Sequence, residues 1–480
     1  MTVLLVVLLV IGVLIATVLL RTAMQKPTAA KTVVIEYQES ERSEGYGQKL
    51  SQMIQCETVS SRDNMKVDKF YKFQEVLEQL FPRVFTTCIK TDIEGSLLLR
   101  WQGKASEAPI LLMSHQDVVE APGEWTHPPF SGDVEDGVVW GRGTVDTKGN
   151  LFCILQSVEE LIEQGYIPEQ DIYVASSNTE EIRGEGAPKT VAYLKAQGVR
   201  PKLLLDEGGM ILENPIGGVN GTYAMVGVLE KGYGDLEFTA RGTGGHASAP
   251  GKNTPLVRIA KFMAEVEEKS PFKVEFYDSV TEMFRRLTPN MVFPMKLVFA
   301  NLWCFAPILK KVMPSISPAG AAMLQTTIAF TMAKGSDGAN VLPQEAKVWA
   351  NLRFSHHQPT EESIAIITEL AKKYDIETKV IYKDNPDPIV DYRSDEFKTV
   401  ERTINDLFPG VGVVPYPMTG GTDAKFYQEI CDNCIRFAPL YINAQQYGSI
   451  HGIDENIHAR TLTKGVDFFQ SIIQNYHTNL

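Results

Sequence analysis

The residues that mark several common protein classes are scarce in this chain. Six cysteines in 480 residues are too few for a disulfide scaffold. Cys431 and Cys434 form a single C-x-x-C with no second pair, which argues against a zinc ribbon, and we expect two ordinary half-buried thiols rather than a redox pair. A G-x-S-x-G motif is absent, which removes the usual support for a serine hydrolase.

Clustered positive charge is also missing. The formal net charge is −13 and no dense run of Lys and Arg occurs, so we expect no nucleic-acid partner.

The chain is long and rich in apolar residues. Its 480 residues, 44% of them hydrophobic, are enough for large buried cores and predict two domains rather than one.

The first residues form a long apolar run. Every residue from 3 to 20 is apolar, Gly or Thr, which is about the length needed to cross a bilayer. We favour an uncleaved anchor over residues 1–21, against a cleaved signal or a buried core helix. Arg21, Lys26 and Lys31 follow the run, and by the positive-inside rule they would keep the body cytoplasmic. Cleavage would instead make the protein secreted or extracytoplasmic.

After a polar tether over residues 22–44, strand-like and helix-like segments alternate. Residues 110–114, 172–176 and 202–205 are short apolar runs typical of buried strands, and segments with helical spacing separate them. This alternation predicts an α/β domain with a mostly parallel sheet covered by helices, whose first part is residues 45–227.

The pattern changes over residues 228–355. Two segments there alternate apolar and polar residues, as half-exposed strands do, and they predict a small α+β domain inserted into the larger one, which resumes over residues 356–480. Within the inserted domain, residues 281–327 are rich in Phe, Met, Leu, Trp and Pro. They form either extra core helices or an apolar surface that receives a greasy substrate or lies near a membrane.

Histidines and carboxylates follow one apolar run after another. In chain order these residues are His115, Asp117, Asp146, Glu180, Glu181, Asp206 and His451. The carboxyl ends of strands in an open α/β sheet meet at one edge, where such sheets bind ligands. Imidazole and carboxylate are groups that hold zinc, and a carboxylate shared by two ions suits a two-metal site. The pattern therefore predicts a metal centre at that edge.

Spacing suggests different roles within this set. His115 and Asp117 lie two residues apart and share a face of a strand, so the imidazole can bind a metal while the carboxylate orients a neighbouring ligand. Glu180 and Glu181 are adjacent, so one can bind metal while the other takes a proton from water. Asp146 either enters the site through the glycine turn before it or caps the helix that follows.

Together these motifs resemble those of a known family. The segments SHQDVV, GRGTVDTKG, TEEIRG, DEGG, GGHAS, GGTDAKF and HGIDEN occur in the order found in the zinc metallohydrolase family of aminoacylase, carboxypeptidase S and glutamate carboxypeptidase. The resemblance covers about residues 45–475. Within the family it is strongest to carboxypeptidase S and the secreted N-fatty-acyl-amino-acid synthase/hydrolase, through LEKG, GGHASAP and the apolar segment.

The resemblance implies two zinc ions per subunit, although the same ligands would accept cobalt or manganese. His115 and Asp206 would hold one ion. Glu181 and His451 would hold the other, and Asp146 would bridge the two.

It also implies the roles of the remaining polar residues. Glu180 would be the general base that takes a proton from water and returns it to the leaving amine, and Asp117 would orient His115. The inserted domain would be a lid and dimerisation domain. Its His246, which by itself would be an ordinary loop histidine, would reach the partner subunit's site and stabilise the oxyanion.

Four further residues match family positions on the substrate side. Asn340 and Arg353 would hold a substrate carboxylate, and Arg suits this because its planar fork binds carboxylate bidentately. Without the resemblance they would be a surface Asn and a half-exposed strand Arg. Gly420 and Gly421 would let the backbone approach the substrate, or would only form a turn.

The expected activity is hydrolysis, in a homodimer, of the amide bond of N-acyl amino acids or of the C-terminal peptide bond of small peptides. One alternative is reversible synthesis and hydrolysis of N-fatty-acyl amino acids. Another is a non-catalytic binding protein on the same fold, which would be expected to have lost ligands or the base. This chain has kept them all.

Overall fold

The computed structural model describes residues 2–27 and 40–476. Most of the predicted tether, together with Lys31, lies outside the described residues. The apolar run at the start is a helix, Thr2–Ala23, which is long and apolar enough to cross a membrane.

Helices form where apolar residues recur at helical spacing. In chain order they are α1 (Thr2–Ala23), α2 (Glu41–Ile54), α3 (Asp68–Leu80), α4 (Pro82–Thr87), α5 (Lys148–Glu163), α6 (Gly186–Ala196), α7 (Pro255–Glu268), α8 (Asp278–Leu287), α9 (Phe293–Phe299), α10 (Leu302–Ile316), α11 (Pro318–Leu324), α12 (Thr360–Lys372), α13 (Asp395–Leu407), α14 (Ala424–Tyr427), α15 (Ala444–Ser449) and α16 (Ala459–Asn475), with a 3-10 turn at Thr288–Asn290.

The strands overlap each of the apolar runs predicted above. In chain order they are β1 (Ile89–Ile93), β2 (Ser96–Trp101), β3 (Ala105–Met113), β4 (Val134–Glu135), β5 (Val138–Trp140), β6 (Gln170–Ser176), β7 (Leu203–Asp206), β8 (Ile211–Glu213), β9 (Thr222–Glu230), β10 (Gly232–Arg241), β11 (Gly245–His246), β12 (Thr327–Lys334), β13 (Val341–Leu342), β14 (Glu345–Phe354), β15 (Ile376–Lys383), β16 (Gly412–Met418), β17 (Cys434–Arg436), β18 (Tyr441–Ile442) and β19 (Asn456–His458).

The central sheet has the order β1-β2-β6-β3-β7-β17-β9-β8-β18, and β16 pairs with β9. Strand β3 is parallel to β6 and β7, β7 to β17, and β9 to β16. Along β3, Ile110 and Leu112 enter a core with α2, α5 and α16, whereas Leu111 and Met113 enter a second core with α6 and α14. Helices therefore cover both faces, which confirms the predicted α/β fold with a mostly parallel sheet.

A second, antiparallel sheet has the order β12-β14-β10-β15, and helices α7 and α12 pack against it. The sequence places the end of this small domain at residue 355, but β15 pairs with β10 along its length. The boundary therefore lies near residue 383. Alternation identifies β15 as a strand but does not reveal which sheet receives it.

Residues 281–327, expected within the small domain, pack mainly on the large one. Phe284 and Met313 share a core with Tyr223 of β9 and Val414 of β16. Helices α9 and α10 meet at a bend of 108°. The segment is thus a helical layer on the β9–β16 edge of the central sheet, and we call it the apolar insert.

Arg436 of β17 is a fully buried cation that joins distant parts of the large domain. Its Nε lies 2.8 Å from Oε1 of Glu230, and its Nη2 contacts Asp387. Glu230 in turn accepts hydrogen bonds from the backbone N–H and the hydroxyl of Thr422, at 3.0 and 2.6 Å. A buried charge without a partner is costly, so this network fixes the loop that begins at Gly420.

The C-x-x-C pair lies in the core behind this network. Cys431 and Cys434 are both buried, not half-buried as expected, and all six cysteines are free thiols. The thiol of Cys434 lies 3.3 Å from the carbonyl oxygen of Cys431. The pair contributes packing at the end of β17.

Candidate metal centre

His115 follows the end of β3 and is almost fully buried. Its Nδ1 lies 2.9 Å from the backbone carbonyl oxygen of Asp117 and 3.5 Å from that residue's Oδ1. This contact orients the ring and leaves Nε2 facing the cleft. There Nε2 lies 3.1 Å from Oδ1 of Asp146 and 3.9 Å from Oε2 of Glu180.

The Asp146 carboxylate lies between two imidazoles. Oδ1 faces His115, and Oδ2 lies 3.1 Å from Nε2 of His451. The backbone N–H of Asp146 donates to Oε1 of Glu455 at 3.0 Å, and Oε2 of Glu455 forms a buried ion pair with Arg142 at 2.7 Å. A carboxylate with one oxygen toward each histidine has the form of a ligand shared by two ions.

His451 and Glu181 form the other side of the centre. Nε2 of His451 lies 3.2 Å from Oε2 of Glu181. The second oxygen of Glu181, Oε1, is buried and has no hydrogen-bond partner among the described residues. A buried carboxylate oxygen without a donor is unfavourable, and a cation at this position would satisfy it.

Two groups of side chains here are close enough to hold metal ions. One contains His115, Asp146 and Glu207, and the other contains Asp146, Glu181 and His451, with the ligand atoms of each group within 4.8 Å of one another. Asp146 belongs to both groups, as the predicted bridging role requires.

Asp206, expected as a ligand beside His115, belongs to neither group. Its Oδ1 accepts a hydrogen bond from the backbone N–H of Glu207 at 2.9 Å, and its Oδ2 accepts one from Ala424 at 2.8 Å. The structure therefore offers Glu207 as a second candidate for this ligand position, and Asp206 also binds the backbone at the start of α14.

Asp117 holds the two glutamates in register. Its Oδ1 accepts the backbone N–H of Glu180 and its Oδ2 that of Glu181, each at 3.1 Å, while the hydroxyl of Ser60 donates to Oδ2 at 2.6 Å. The carboxylate therefore positions His115 and both adjacent acids, which is more than the ring-orienting role expected of it.

Negative charge is concentrated in this cleft. Burial, reinforced by neighbouring carboxylates, holds the pKa values of Glu180, Glu207 and Asp423 well above the ordinary carboxyl range. Hydrogen bonds to Asp146 and Glu181 raise the pKa of His451 to about 10. Two divalent cations would relieve this repulsion, and the imidazole and carboxylate donors suit zinc, cobalt or manganese.

Sequence reasoning missed several residues that shape the site, although they lie inside the motifs quoted above. Arg142, Glu455 and Asp423 are buried polar residues whose partners lie far away in the chain. In the DEGG motif Glu207 directly follows Asp206. This adjacency is the sequence signal that could have indicated a second candidate ligand. The cis peptide bond between Asp146 and Thr147 is likewise not readable from the sequence.

The predicted substrate-side residues divide into two places. His246 on β11 is exposed, and its Nδ1 lies 2.7 Å from the hydroxyl of Ser248. Asn340 lies beside it, since its carbonyl accepts the backbone N–H of Ala247 at 3.0 Å. Among the described contacts, none joins His246 or Asn340 to the candidate metal ligands.

Arg353 lies closer to the site. Its guanidinium is 4.7 Å from the ring centre of Tyr233, and that of Arg183 is 4.1 Å from the same ring. Arg183 follows Glu181 by two residues. It also lies against Gly421, where an added Cβ would come within 2.8 Å of its Nη2, whereas Gly420 faces open space. Arg183 and Arg353 together make a cationic patch beside the metal centre.

An apolar cavity of about 790 Å³ is lined in part by Gly208, the residue after Glu207. Six methionines line it, together with Phe, Leu and Ile side chains. The six are Met210, Met225, Met283, Met295, Met313 and Met323. Methionine is flexible and polarisable, so such a lining adapts to varied apolar ligands, and the volume is in the range of small-molecule sites.

The two acids of the DEGG motif can be separated by their metal content. After loading with zinc, Glu207→Gln should lower the bound metal from about two ions to about one per subunit, because it removes a charged ligand. Asp206→Asn should keep both ions while weakening the fold. Mass-spectrometric metal analysis of the purified proteins decides this, and the reverse pattern would restore Asp206 as the ligand.

Comparison with known proteins gives a consistent result. Residues 111–475 match the sequence model of peptidase family M20/M25/M40. The chain is 33% identical over 474 residues to the N-fatty-acyl-amino acid synthase/hydrolase PM20D1 of Xenopus tropicalis, across 97% of this chain and 92% of that protein. It is 33% identical over 441 residues to the probable carboxypeptidase S-like 2 of Dictyostelium discoideum, across 89% and 84%.

The fold is also similar to that of solved M20 structures. The crystal structure of an M20 family metallo-carboxypeptidase, Sso-CP2 from Sulfolobus solfataricus, superposes with a TM-score of 0.66 at 15% identity, covering 91% of this chain and 99% of that one. The resemblance inferred from the motifs is thereby confirmed. The chain belongs to peptidase family M20/M25/M40 and is a hydrolytic enzyme.

Proposed function

We propose that this chain is a co-catalytic di-zinc amidohydrolase that cleaves N-acyl amino acids bearing long apolar acyl groups. The observation that carries the proposal is the apolar cavity whose lining includes Gly208, the residue after Glu207, with the Arg183–Arg353 patch beside the same centre. An apolar tail and a carboxylate are the two ends of such a substrate.

The proposed ligands are His115 and Glu207 for one ion, Glu181 and His451 for the other, and Asp146 between them. The unpartnered Oε1 of Glu181 and the two imidazoles flanking Asp146 support this set. When bound there, two divalent ions would supply Lewis acidity toward the amide carbonyl and would lower the pKa of a water molecule.

Glu180 is the proposed general base. It lies 3.9 Å from His115, and it is fixed by Asp117 through its backbone rather than its side chain. Its carboxylate is therefore free to take a proton from water and return it to the leaving amine. Burial holds its pKa well above the ordinary range, which suits a group that must hold the proton between the two steps.

The cationic patch would bind the amino-acid carboxylate. Arg353 can offer its planar fork to that group, and Arg183 adds charge from the loop that carries the metal ligands. Asn340 lies beside His246 rather than in this patch, so as a further carboxylate contact it would act, like His246, from the partner subunit. Gly420, which faces open space, lets the substrate approach the backbone.

Two related activities would use the same residues. Cleavage of the C-terminal bond of small peptides uses the same carboxylate recognition, and the reverse reaction, acyl transfer to an amino acid, uses the same centre. The apolar lining favours a fatty-acyl group over a peptide. A non-catalytic binding role is disfavoured because the candidate ligands and base are all present and clustered.

We also infer that α1 stays attached as a membrane anchor. Asn301 of the apolar insert is fully buried, and its Nδ2 donates to the carbonyl of Val18 at 3.2 Å and to the hydroxyl of Thr22 at 3.1 Å. Cleavage after α1 would remove both acceptors. A signal peptide destined for removal has no need of such a fitted contact.

Replacing the base separates chemistry from metal binding. Glu180→Gln should lower kcat by about 10²–10⁴-fold, the usual contribution of general acid–base catalysis, with the metal content unchanged. The matched control is Glu185→Gln, in the same loop but exposed, which should retain full activity. Steady-state hydrolysis of an N-acyl amino acid, with metal analysis in parallel, tests this, and an active Glu180→Gln enzyme would refute the mechanism.

Narrowing the cavity tests the acyl specificity. Ala322 lines the cavity and Ala329 on β12 does not. Ala322→Trp should reduce kcat/KM about tenfold or more for a long-acyl substrate, since several buried methylenes are lost from contact, and should spare an N-acetyl substrate. Ala329→Trp should spare both. An equal loss on long and short acyl chains would remove the cavity from the proposal.

Mixing two inactive variants tests the proposed dimer. Glu180 acts in its own subunit, whereas the partner subunit's His246 would stabilise the oxyanion. Glu180→Gln and His246→Ala should each be nearly inactive alone. Unfolded together and refolded at equal amounts, they should recover about a quarter of the wild-type rate, because half of the dimers then contain one complete site. If His246 acts within its own subunit, mixing restores nothing.

A further inference from the structure

The hairpin of α9 and α10 exposes large apolar side chains that a water-facing surface would not carry. Phe293 is 63% exposed, Trp303 52%, Ile308 59% and Ile316 70%. Ile308, Val312 and Ile316 recur every four residues and form one face of α10. Contiguous exposed apolar surface of this kind marks an interaction site.

The charge of the same segment is unlike that of the whole protein. Between Phe293 and Ile316 the chain carries no Asp or Glu but three Lys, of which Lys310 pairs with Glu275, whereas the net charge of the protein is −13. Lys311 is exposed next to Ile308 and Val312 on α10. Apolar residues with interspersed cations, and no anions, suit the interface of an anionic lipid bilayer.

The hairpin also lies against the membrane helix. Helix α1 contacts α9, and Asn301, between α9 and α10, binds the last turns of α1 through Val18 and Thr22. A bilayer core of about 30 Å takes roughly 20 helical residues, so Val18 and Thr22 lie near the end of the span. The contact therefore places the hairpin at the boundary of the bilayer rather than at its centre.

The other face of α10 lines the apolar cavity. Leu309 and Met313 belong to the cavity wall, and Ile316 belongs both to that wall and to the exposed face. The hairpin thus separates the exposed apolar face from the cavity by the thickness of one helix, with Ile316 at its rim. The lining of the same cavity includes Gly208, the residue after Glu207.

We propose that the α9–α10 hairpin sits in the interface of a phospholipid bilayer beside α1, and that the apolar cavity opens toward the lipid. The bilayer position follows from α1, the exposed face and the charge, and does not depend on the reaction. Entry of the acyl substrate from the lipid rests on the proposed function. A second copy of the chain is the competing occupant, but the attachment of the hairpin to a membrane helix favours lipid.

Trp303 provides a direct probe of the bilayer position, because α1 contains no tryptophan. The full chain is reconstituted in vesicles of phosphatidylcholine and phosphatidylserine, with or without acyl-chain bromination, and tryptophan emission is compared with that of Trp303→Phe. Bromine quenches only tryptophans at the acyl chains. We expect a quenched component in the wild type that the Trp303→Phe protein does not show.

Two reporters in the Trp303→Phe background complete the test. Ile308→Trp places the fluorophore on the same hairpin, and Ile381→Trp places it on β15 of the small domain, where Ile381 is 51% exposed. We expect quenching at position 308 and none at 381. Equal quenching at 303, 308 and 381, or cross-linking of Ile308→Cys between two copies without bromine quenching, would overturn the proposal in favour of a protein–protein surface.

Substrate entry is tested with Ile308→Asp, a residue outside the cavity wall. In vesicles, hydrolysis of a bilayer-dissolved long-acyl substrate should fall several-fold, and a water-soluble short-acyl substrate should be hydrolysed at the wild-type rate. Ile381→Asp is the matched control and should change neither. Absence of all hydrolysis would refute the proposed function and leave the quenching result standing, whereas unchanged long-acyl turnover in Ile308→Asp would refute entry from the lipid.

Discussion

The centre of this protein is a carboxylate held between two imidazoles. Asp146 faces His115 with one oxygen and His451 with the other, although these histidines are separated by most of the chain. Around it the fold gathers further acids that would repel one another in a buried cleft. The requirement to hold like charges together at one sheet edge accounts for much of the surrounding polar structure.

The carboxylates that support the centre accept hydrogen bonds from backbone N–H groups as well as from side chains. Asp117 accepts the N–H groups of both adjacent glutamates, and Glu455 accepts that of Asp146. Fixing the main chain in this way leaves the glutamate carboxylates turned into the cleft. Arg142 and Arg436 are the buried cations that neutralise the outer acids without entering the centre.

The sequence was sufficient for the position of the site but not for every residue in it. Apolar runs predict strands, and polar residues after them predict the edge where they meet, which is why most of the side chains that the fold gathers there could be named. Asp206 and Glu207 differ by one residue, and a strand pattern does not say at which residue the strand turns. Long-range features, such as the pairing of β15 and the docking of the apolar insert on β9 and β16, have no local signal.

The cleft has chemically opposite surroundings on its two sides. On one side Arg183 and Arg353 flank the ring of Tyr233, and on the other the cavity is almost wholly apolar. Strand β9 connects them, since its residues support the insert and its end, Glu230, belongs to the buried network of Arg436. A molecule spanning both surroundings must be amphipathic, with its polar–apolar junction at the metal centre.

Glu455, which pairs with the buried Arg142, lies near the end of the sequence. Its position determines when the centre is completed during translation. His451 and Glu455 come from one short segment near the end of the chain, so Asp146 receives its second imidazole and its backbone acceptor together. At the usual speed of translation the interval between residues 207 and 451 is about 10–50 s. Throughout that time the nascent chain holds an incomplete centre, so the full set of candidate ligands is present only when the polypeptide is nearly finished.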